Sequence, residues 1–277
     1  MSFIKLKSTK GLNLGMFLKA MMYIRFLINA RTKYNIHSPF VHSFIQDILD
    51  DKEIYYTYLS VEYLRKSLLK KNKTIQLTDL GAGSKYNKSN TISLKKLANK
   101  VQSSHQKSQL IFRVVNYFKP STILEIGTSL GFTTSYISNA NKKSKITTIE
   151  GDPTIANIAK SNFQILKLKN VEIINDNFDN ILEALFKQKY DLVFFDGNHS
   201  KEATLRYFNW AKDNSNENTI FIFDDIYWSK EMKQAWSIIC KDPKVMLSID
   251  IFSLGFIFFK SKNQKEHFNL IHNSNFF

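Results

Sequence analysis

The chain has 277 residues, which is enough for one large α/β domain with an added segment or for two small domains. Its single cysteine, Cys240, excludes an internal disulfide framework, and no uninterrupted apolar stretch reaches the roughly 18 residues that a bilayer-spanning helix needs. The whole formal net charge of +15 lies in residues 1–120, which hold 21 Lys and Arg against 6 Asp and Glu. That excess indicates either a basic face for an anionic partner or the Lys-rich composition of an AT-rich genome.

Helix-forming residues dominate the first third of the chain. Predicted helices cover residues 15–33, 39–50, 55–71, 91–102 and 106–118. Between them, a strand-like run at 75–80 leads into a Gly-rich turn at 79–84, which is expected to be structural rather than a second nucleotide site. No Pro-, Gly- or Ser-rich linker separates this segment from the rest. Residues 1–105 are therefore predicted to form a helical cap over the substrate side of the domain that follows.

The N-terminal apolar run is interrupted by Lys19 and Arg25, and no small-residue cleavage site follows it. We therefore expect a cytoplasmic protein rather than a secreted one. The apolar segment at 16–28 still needs a partner surface. The following domain, another subunit or peripheral contact with a membrane could each provide that surface.

After Pro120 the pattern changes to alternating strands and helices. Strands are predicted at 122–126, 145–149, 171–174, 190–195 and 219–223, and helices between them at 131–140, 154–167, 179–187 and 201–213. The strands are apolar on both faces, as buried parallel strands are. Segments 245–251 and 256–260 are then predicted to form an antiparallel hairpin, and the polar tail after Ser261 is expected to be loosely ordered. We predict that residues 106–277 fold as a Rossmann-like, doubly wound, mostly parallel sheet whose ligand lies at the strands' carboxyl ends.

The loop after the first of these strands, in the sequence ILEIGTSLGF, has the features of a ligand-binding turn. Gly127 permits a tight turn, and Gly131 lets the next helix begin close to the strand. Ser129 and Phe132 stand where a dinucleotide fingerprint has glycines, so the loop suits a ligand without a diphosphate. Glu125, near the strand end, could attract cationic groups of that ligand.

Acidic residues follow the next two strands. Glu150 ends the second strand, where a carboxylate can accept both ribose hydroxyls of a nucleoside. After the third strand, Asp176 and Phe178 stand where an adenine ring would lie. In this order and spacing, the three stretches resemble the class I S-adenosylmethionine-dependent methyltransferases. The resemblance implies that S-adenosylmethionine is bound by Glu125, Gly127, Thr128, Ser129, Gly131, Glu150 and Asp176.

The fourth strand ends at Asp196 with His199 three residues later, and the fifth ends at Asp224 and Asp225. Adjacent strand ends would bring these carboxylates together as a site for Mg²⁺ or another divalent cation. The pattern resembles the catechol-type, cation-dependent O-methyltransferases. That resemblance implies that Asp196, Asp224 and Asp225 bind the metal and that His199 stands at the position of a catalytic Lys.

This sequence departs from the catechol-type pattern at several positions. Asn198 replaces a second Asp, Asp225 replaces an Asn ligand, and a histidine replaces the Lys. His199 can serve as a base near neutral pH, so His199 and Asp196 are predicted to be catalytic. The alternative stays open that Asp196 only caps the next helix, with His199 on its first turn.

These features predict an S-adenosylmethionine-dependent enzyme that methylates a hydroxyl of a small or lipid-like acceptor. One alternative is an RNA or other nucleic-acid methyltransferase that uses the basic N-terminal region as its grip. Another is a non-catalytic protein that binds adenosylmethionine, but the polar cluster at the fourth and fifth strand ends argues against it.

Overall fold

A computed structural model describes residues 10–77, 91–100, 105–260 and 265–272, so the predicted turn at 79–84 lies outside the described residues. The helices are α1 Lys10–Asn29, α2 Pro39–Phe44, α3 Tyr56–Leu69, α4 Leu94–Lys100, α5 His105–Phe118, α6 Phe132–Ala140, α7 Pro153–Ile165, α8 Phe178–Leu185, α9 Lys201–Asp213 and α10 Lys230–Lys241. The strands are β1 Thr74–Gln76, β2 Thr91–Ser93, β3 Thr122–Ile126, β4 Lys145–Glu150, β5 Val171–Asn175, β6 Leu192–Phe195, β7 Ile220–Asp224, β8 Leu247–Asp250, β9 Leu254–Phe258 and β10 Glu266–Asn269.

In the described part of the chain, one large sheet has the strand order β10-β8-β9-β7-β6-β3-β4-β5. Strands β3 to β7 are parallel to one another, whereas β9 is antiparallel to its two neighbours, β7 and β8. Every residue of β6 and β7 is buried, because helices cover both faces of the sheet. The predicted Rossmann-like sheet with a C-terminal antiparallel hairpin is confirmed.

Two local predictions were wrong. Residues 91–93, expected to begin a helix, form β2 and pair with β1, with Ile92 buried between the surrounding apolar side chains. The tail after Ser261 was expected to be loosely ordered, yet β10 pairs in parallel with β8 and buries Phe268. Each strand is very short, so neither has the alternation that reveals a strand in a sequence.

The segment before α5 packs into the same core as the sheet. Val41 and Phe44 of α2 share a buried cluster with Ile123 of β3 and Phe256 of β9. On the other face of the sheet, Phe26 of α1 joins a cluster with β3, β6 and β7 side chains. The N-terminal helices therefore cover apolar sheet surface on both sides.

One face of α1 stays open to solvent. Phe17, Met21, Ile24 and Ile28 recur at helical spacing, and each is more than half exposed, while Phe26 on another face is buried. Among the described helices, none is long and apolar enough to cross a membrane.

Candidate active site

The polar residues singled out in the sequence follow neighbouring strand ends. In the sheet, Ile126 of β3 pairs with Ile149 of β4 on one side and with Phe195 of β6 on the other. Phe195 in turn pairs with Phe223 of β7. The turns that follow β3, β4, β6 and β7 therefore meet at one edge of the sheet, as a parallel arrangement requires.

The turn after β3 needs its two glycines. Gly127 has φ +104° and Gly131 has φ +76°, both in the left-handed region that favours glycine. A Cβ at Gly127 would clash with the backbone carbonyl of Asp196, and a Cβ at Gly131 would clash with the ring of Phe163. The first glycine thus allows β3 and β6 to end close together, and the second allows α6 to begin against α7.

Glu150 joins this turn to the next one. Its Oε2 accepts a hydrogen bond from the backbone N–H of Ser129 at 2.8 Å, and its Oε1 accepts one from the N–H of Asp152 at 3.0 Å. Burial raises the pKa of Glu150, although the two N–H donors oppose that shift. Each carboxylate oxygen can accept more than one hydrogen bond, so the fixed carboxylate can also receive two neighbouring hydroxyls of a ligand.

Glu125 lies deeper than the sequence suggested. It is fully buried, and its Oε2 accepts hydrogen bonds from the hydroxyls of Thr134 and Thr148. Its Oε1 has no hydrogen-bond partner among the described residues. Burial raises the pKa of Glu125 to about 7. The site therefore has an acidic group beneath its turn, with one acceptor atom still unsatisfied.

Asp176 and Phe178 follow β5 as predicted. Asp176 Oδ1 accepts hydrogen bonds from the backbone N–H of Asn177 and, at 3.0 Å, from the side chain of Asn180. Phe178 lies against the turn after β6, where a Cβ on Gly197 would approach its ring to 2.6 Å. The sequence interpretation assigned no role to Gly197. A glycine two residues after a buried strand nevertheless indicates such close packing.

The turn that follows β6 shows whether Asp196 caps the next helix. Helix α9 is capped by Ser200, whose hydroxyl accepts a hydrogen bond from the N–H of Ala203 at 3.3 Å. The reading of Asp196 as the helix cap is therefore wrong. His199 Nε2 lies 3.8 Å from Asp196 Oδ1, and its ring centroid is 6.4 Å from that of Trp228, which is exposed.

A lysine that the sequence analysis missed lies among the acidic residues of the site. Lys107 Nζ donates hydrogen bonds to Asp224 Oδ1 at 2.5 Å and to Asp225 Oδ1 at 3.0 Å. Its side chain is buried, and it comes from the first turn of α5. A signal was present, since Lys107 precedes the buried Leu110 and Ile111 at helical spacing and thus falls on the apolar face of its helix.

The three aspartates differ in their affinity for protons. Burial and the neighbouring carboxylate of Asp224 raise the pKa of Asp196 well above its usual range. Burial also opposes ionisation of Asp225, but Lys107 and His199 together lower its pKa. Asp196 therefore carries a proton more readily than Asp225 does.

The predicted metal ligands do not fit a divalent cation as they lie. Within the described ranges, no group of three or more His, Cys, Asp or Glu side chains has an arrangement that could hold a metal ion. Lys107 already donates to Asp224 and Asp225, two of the three expected ligands. A cation there would have to displace an ammonium group.

One protein-family model is similar to part of this chain. Residues 124–226 match the sequence model of the family Methyltransf_24, described as a methyltransferase domain. No curated protein matches the sequence significantly.

Several solved structures share the fold at low sequence identity. A methyltransferase of Podospora anserina, solved with S-adenosylhomocysteine, is 15% identical with a TM-score of 0.57, covering 94% of this chain and 100% of its own. An O-methyltransferase of Bacillus cereus, also with S-adenosylhomocysteine, is 18% identical with a TM-score of 0.51 and coverages of 79% and 96%. An O-methyltransferase of Streptomyces achromogenes in complex with S-adenosylmethionine is 18% identical with a TM-score of 0.51 and coverages of 58% and 82%.

Proposed function

We propose that this chain, whose residues 124–226 match a methyltransferase-domain family, transfers the methyl group of S-adenosylmethionine to a hydroxyl of a small acceptor. The observation that carries the proposal is the position of Glu150. Its carboxylate is fixed by backbone N–H groups of the turns that follow β3 and β4. One strand, β3, separates the end of β4 from the end of β6, where Asp196 and His199 follow. Cofactor and acceptor would then meet at one edge of the sheet.

The residues around this edge fit the cofactor. Glu150 offers acceptors for the ribose hydroxyls, and Gly127 and Gly131 allow the turn beside it to keep its left-handed backbone against β6 and α7. Oε1 of Glu125, which has no hydrogen-bond partner among the described residues, is suited to accept a hydrogen bond from the ammonium group of the ligand. Asp176 and Phe178 flank the end of β5, where the adenine would lie. When bound, S-adenosylmethionine supplies a methyl group on a sulfonium sulfur.

The chain's own part in the reaction is to orient the acceptor and take its proton. His199 lies beside Asp196 and is partly exposed, so an acceptor hydroxyl can reach it. S-adenosylmethionine held by Glu150 would supply the methyl group for that hydroxyl and would leave as the neutral thioether. The hydroxyl proton passes to His199. No covalent bond to the protein is needed, and alignment of oxygen, carbon and sulfur provides the main rate advantage.

We further propose that residues 1–105 act as a cap that borders the acceptor. Tyr23 of α1 packs its ring edge-on against Phe252 at a centroid distance of 4.8 Å. Lys19 Nζ lies 5.9 Å from the ring of Trp228, which also neighbours His199. These contacts support a role of α1 on the acceptor side of the site, where a cap would exclude water.

We propose that the acceptor is a small or lipid-like alcohol. Trp228, which is exposed and lies beside His199, supports an acceptor that has an apolar part. Neither the comparisons nor the described residues favour the nucleic-acid alternative.

The test is methyl transfer itself. Purified protein is incubated with S-adenosylmethionine labelled on its methyl group and with sets of phenolic, sugar and lipid alcohols. We expect label in an ether product from at least one set, and loss of that product in His199→Gln. Label recovered only in RNA would support the alternative instead.

A further inference from the structure

The buried ammonium of Lys107 stands where the sequence led us to expect a metal ion. It bridges two carboxylates at the end of β7, at 2.5 Å from Asp224 and 3.0 Å from Asp225. Lys107 is 117 residues from Asp224 and 118 from Asp225 in the chain, so only the folded protein brings them together. The side chains of Lys107 and Asp224 are 10% and 5% exposed, so solvent screens the pair little.

The charge of Lys107 is well supported by its surroundings. Burial alone would lower the pKa of its amine, but Asp224 and Asp225 oppose burial and raise that pKa above its ordinary value. The group therefore stays an ammonium throughout the physiological range. A fixed positive charge with directed N–H donors can neutralise the two carboxylates as a bound cation would, without metal–oxygen coordination.

On this basis, and resting on the proposed methyl transfer, we propose that Lys107 is a positioning residue that replaces a divalent cation, so that the enzyme works without metal. Lys107 holds Asp224 and Asp225 in place and keeps their charge paired. Asp196 and His199 are then the groups left to face the acceptor hydroxyl. Lys107 acts through the carboxylates and takes no proton from the substrate.

Replacement of a divalent cation by Lys107 changes which acceptors are favoured. A divalent cation favours acceptors with two adjacent hydroxyls, because both oxygens can enter its coordination shell. An ammonium group that already donates to two carboxylates offers no such chelation. We therefore expect an acceptor that is methylated at a single hydroxyl and gains no advantage from a neighbouring one.

The first measurement uses the wild-type protein and does not depend on any acceptor. Titration with Mn²⁺ at neutral pH, followed by the electron paramagnetic resonance of the free ion, should show no stoichiometric binding. Stoichiometric binding of Mn²⁺ that is lost in Asp224→Asn would overturn the proposal. Because this readout involves no methyl transfer, it can fail or succeed separately from the proposed function.

The second measurement removes the ammonium. Lys107→Met keeps the length and apolar stem of the side chain, and Lys160→Met, at an exposed position on α7, is the matched control. With Asp224 and Asp225 no longer paired with an ammonium, Lys107→Met should acquire Mn²⁺ binding that Lys160→Met lacks. A folded Lys107→Met protein that binds no more Mn²⁺ than wild type would contradict the idea that the ammonium fills a cation position.

Turnover gives the third readout once an acceptor is found. Wild-type activity should be unchanged in excess EDTA, while Lys107→Met should lose about 10²-fold in kcat because its carboxylates move. Lys107→Arg should restore part of that loss, since it returns the positive charge. Activity of wild type that disappears in EDTA and returns with Mg²⁺ would show that a metal displaces Lys107, and the proposal would be wrong. If Lys107→Met does not fold, the wild-type EDTA and Mn²⁺ experiments still decide.

Discussion

The backbone N–H of Ser129 donates to Glu150 Oε2 at 2.8 Å, so the acid that ends β4 fixes the turn that follows β3. This contact joins the glycine turn to the residue that we propose binds the ribose of the cofactor. It also explains how Ser129 keeps a left-handed backbone, at φ +49°, without being glycine.

The first prediction concerns Glu150→Ala. The change removes the proposed acceptor for the ribose hydroxyls and the partner of the Ser129 N–H. We expect the affinity for S-adenosylhomocysteine to fall by about 1–3 kcal/mol, because buried donors lose their acceptor. Calorimetry measures the change, and Glu172→Ala on the exposed part of β5 is the control that should bind normally. Equal affinity in both variants would remove Glu150 from the site.

The second prediction compares two glycines. In Gly127→Ala the new Cβ meets the backbone carbonyl of Asp196, which cannot move without disturbing β6, whereas in Gly131→Ala it meets the ring of Phe163. Both carry the strain of a left-handed φ, about 1–3 kcal/mol. Gly127→Ala should therefore lower the free energy of unfolding more than Gly131→Ala does. Urea unfolding measures both, and the reverse order would mean that β3 and β6 do not approach as described.

The third prediction follows from Glu125. Its pKa is raised by burial to about 7, above the ordinary value of 4.5, so the folded state binds the proton more tightly than the unfolded state. The stability that this proton contributes is complete below pH 4.5 and is lost as the pH rises through about 7. Over that window the free energy of unfolding should fall by on the order of 1 kcal/mol per pH unit on account of this residue.

Glu125→Gln, which cannot ionise, isolates this contribution. Relative to wild type, the free energy of unfolding of the variant should increase as the pH rises from 4.5 to about 7. Urea titrations at several pH values in the absence of cofactor measure the difference. A difference that stays constant across the window would mean that Glu125 is ionised in the folded protein.

The fourth prediction concerns His199→Gln. The amide keeps much of the size of the imidazole but cannot take a proton, so kcat should fall by about 10²–10⁴-fold. Affinity for S-adenosylhomocysteine should change little, because the proposed role of His199 is to take the acceptor's proton and not to bind the cofactor. His42→Gln, at an exposed position on α2, is the control. Full turnover in His199→Gln would assign the proton transfer to another group.

Much of the catalytic domain could be predicted because its signals are local. The apolar runs that became β6 and β7, the glycines at 127 and 131, and the acid at 150 each carry their meaning within a few residues of sequence. The alternation of strands and helices then fixes which strand ends meet.

The rest depends on contacts between distant parts of the chain. Nothing near Lys107 in the sequence indicates that Asp224 and Asp225 lie opposite it, so the expected metal site was described without its main positive charge. Glu125 was expected at the open edge of the sheet. Its burial becomes evident only when Thr134 of α6 and Thr148 of β4 are placed beside it.

The most direct test of the account is a calorimetric titration of the purified chain with S-adenosylhomocysteine and, in parallel, with NAD. The glycine turn lacks the glycines that a diphosphate requires, and Glu150 is placed for a ribose, so we predict saturable binding of one S-adenosylhomocysteine per chain and no measurable binding of NAD. Tight binding of NAD without binding of S-adenosylhomocysteine would contradict the assignment of this site.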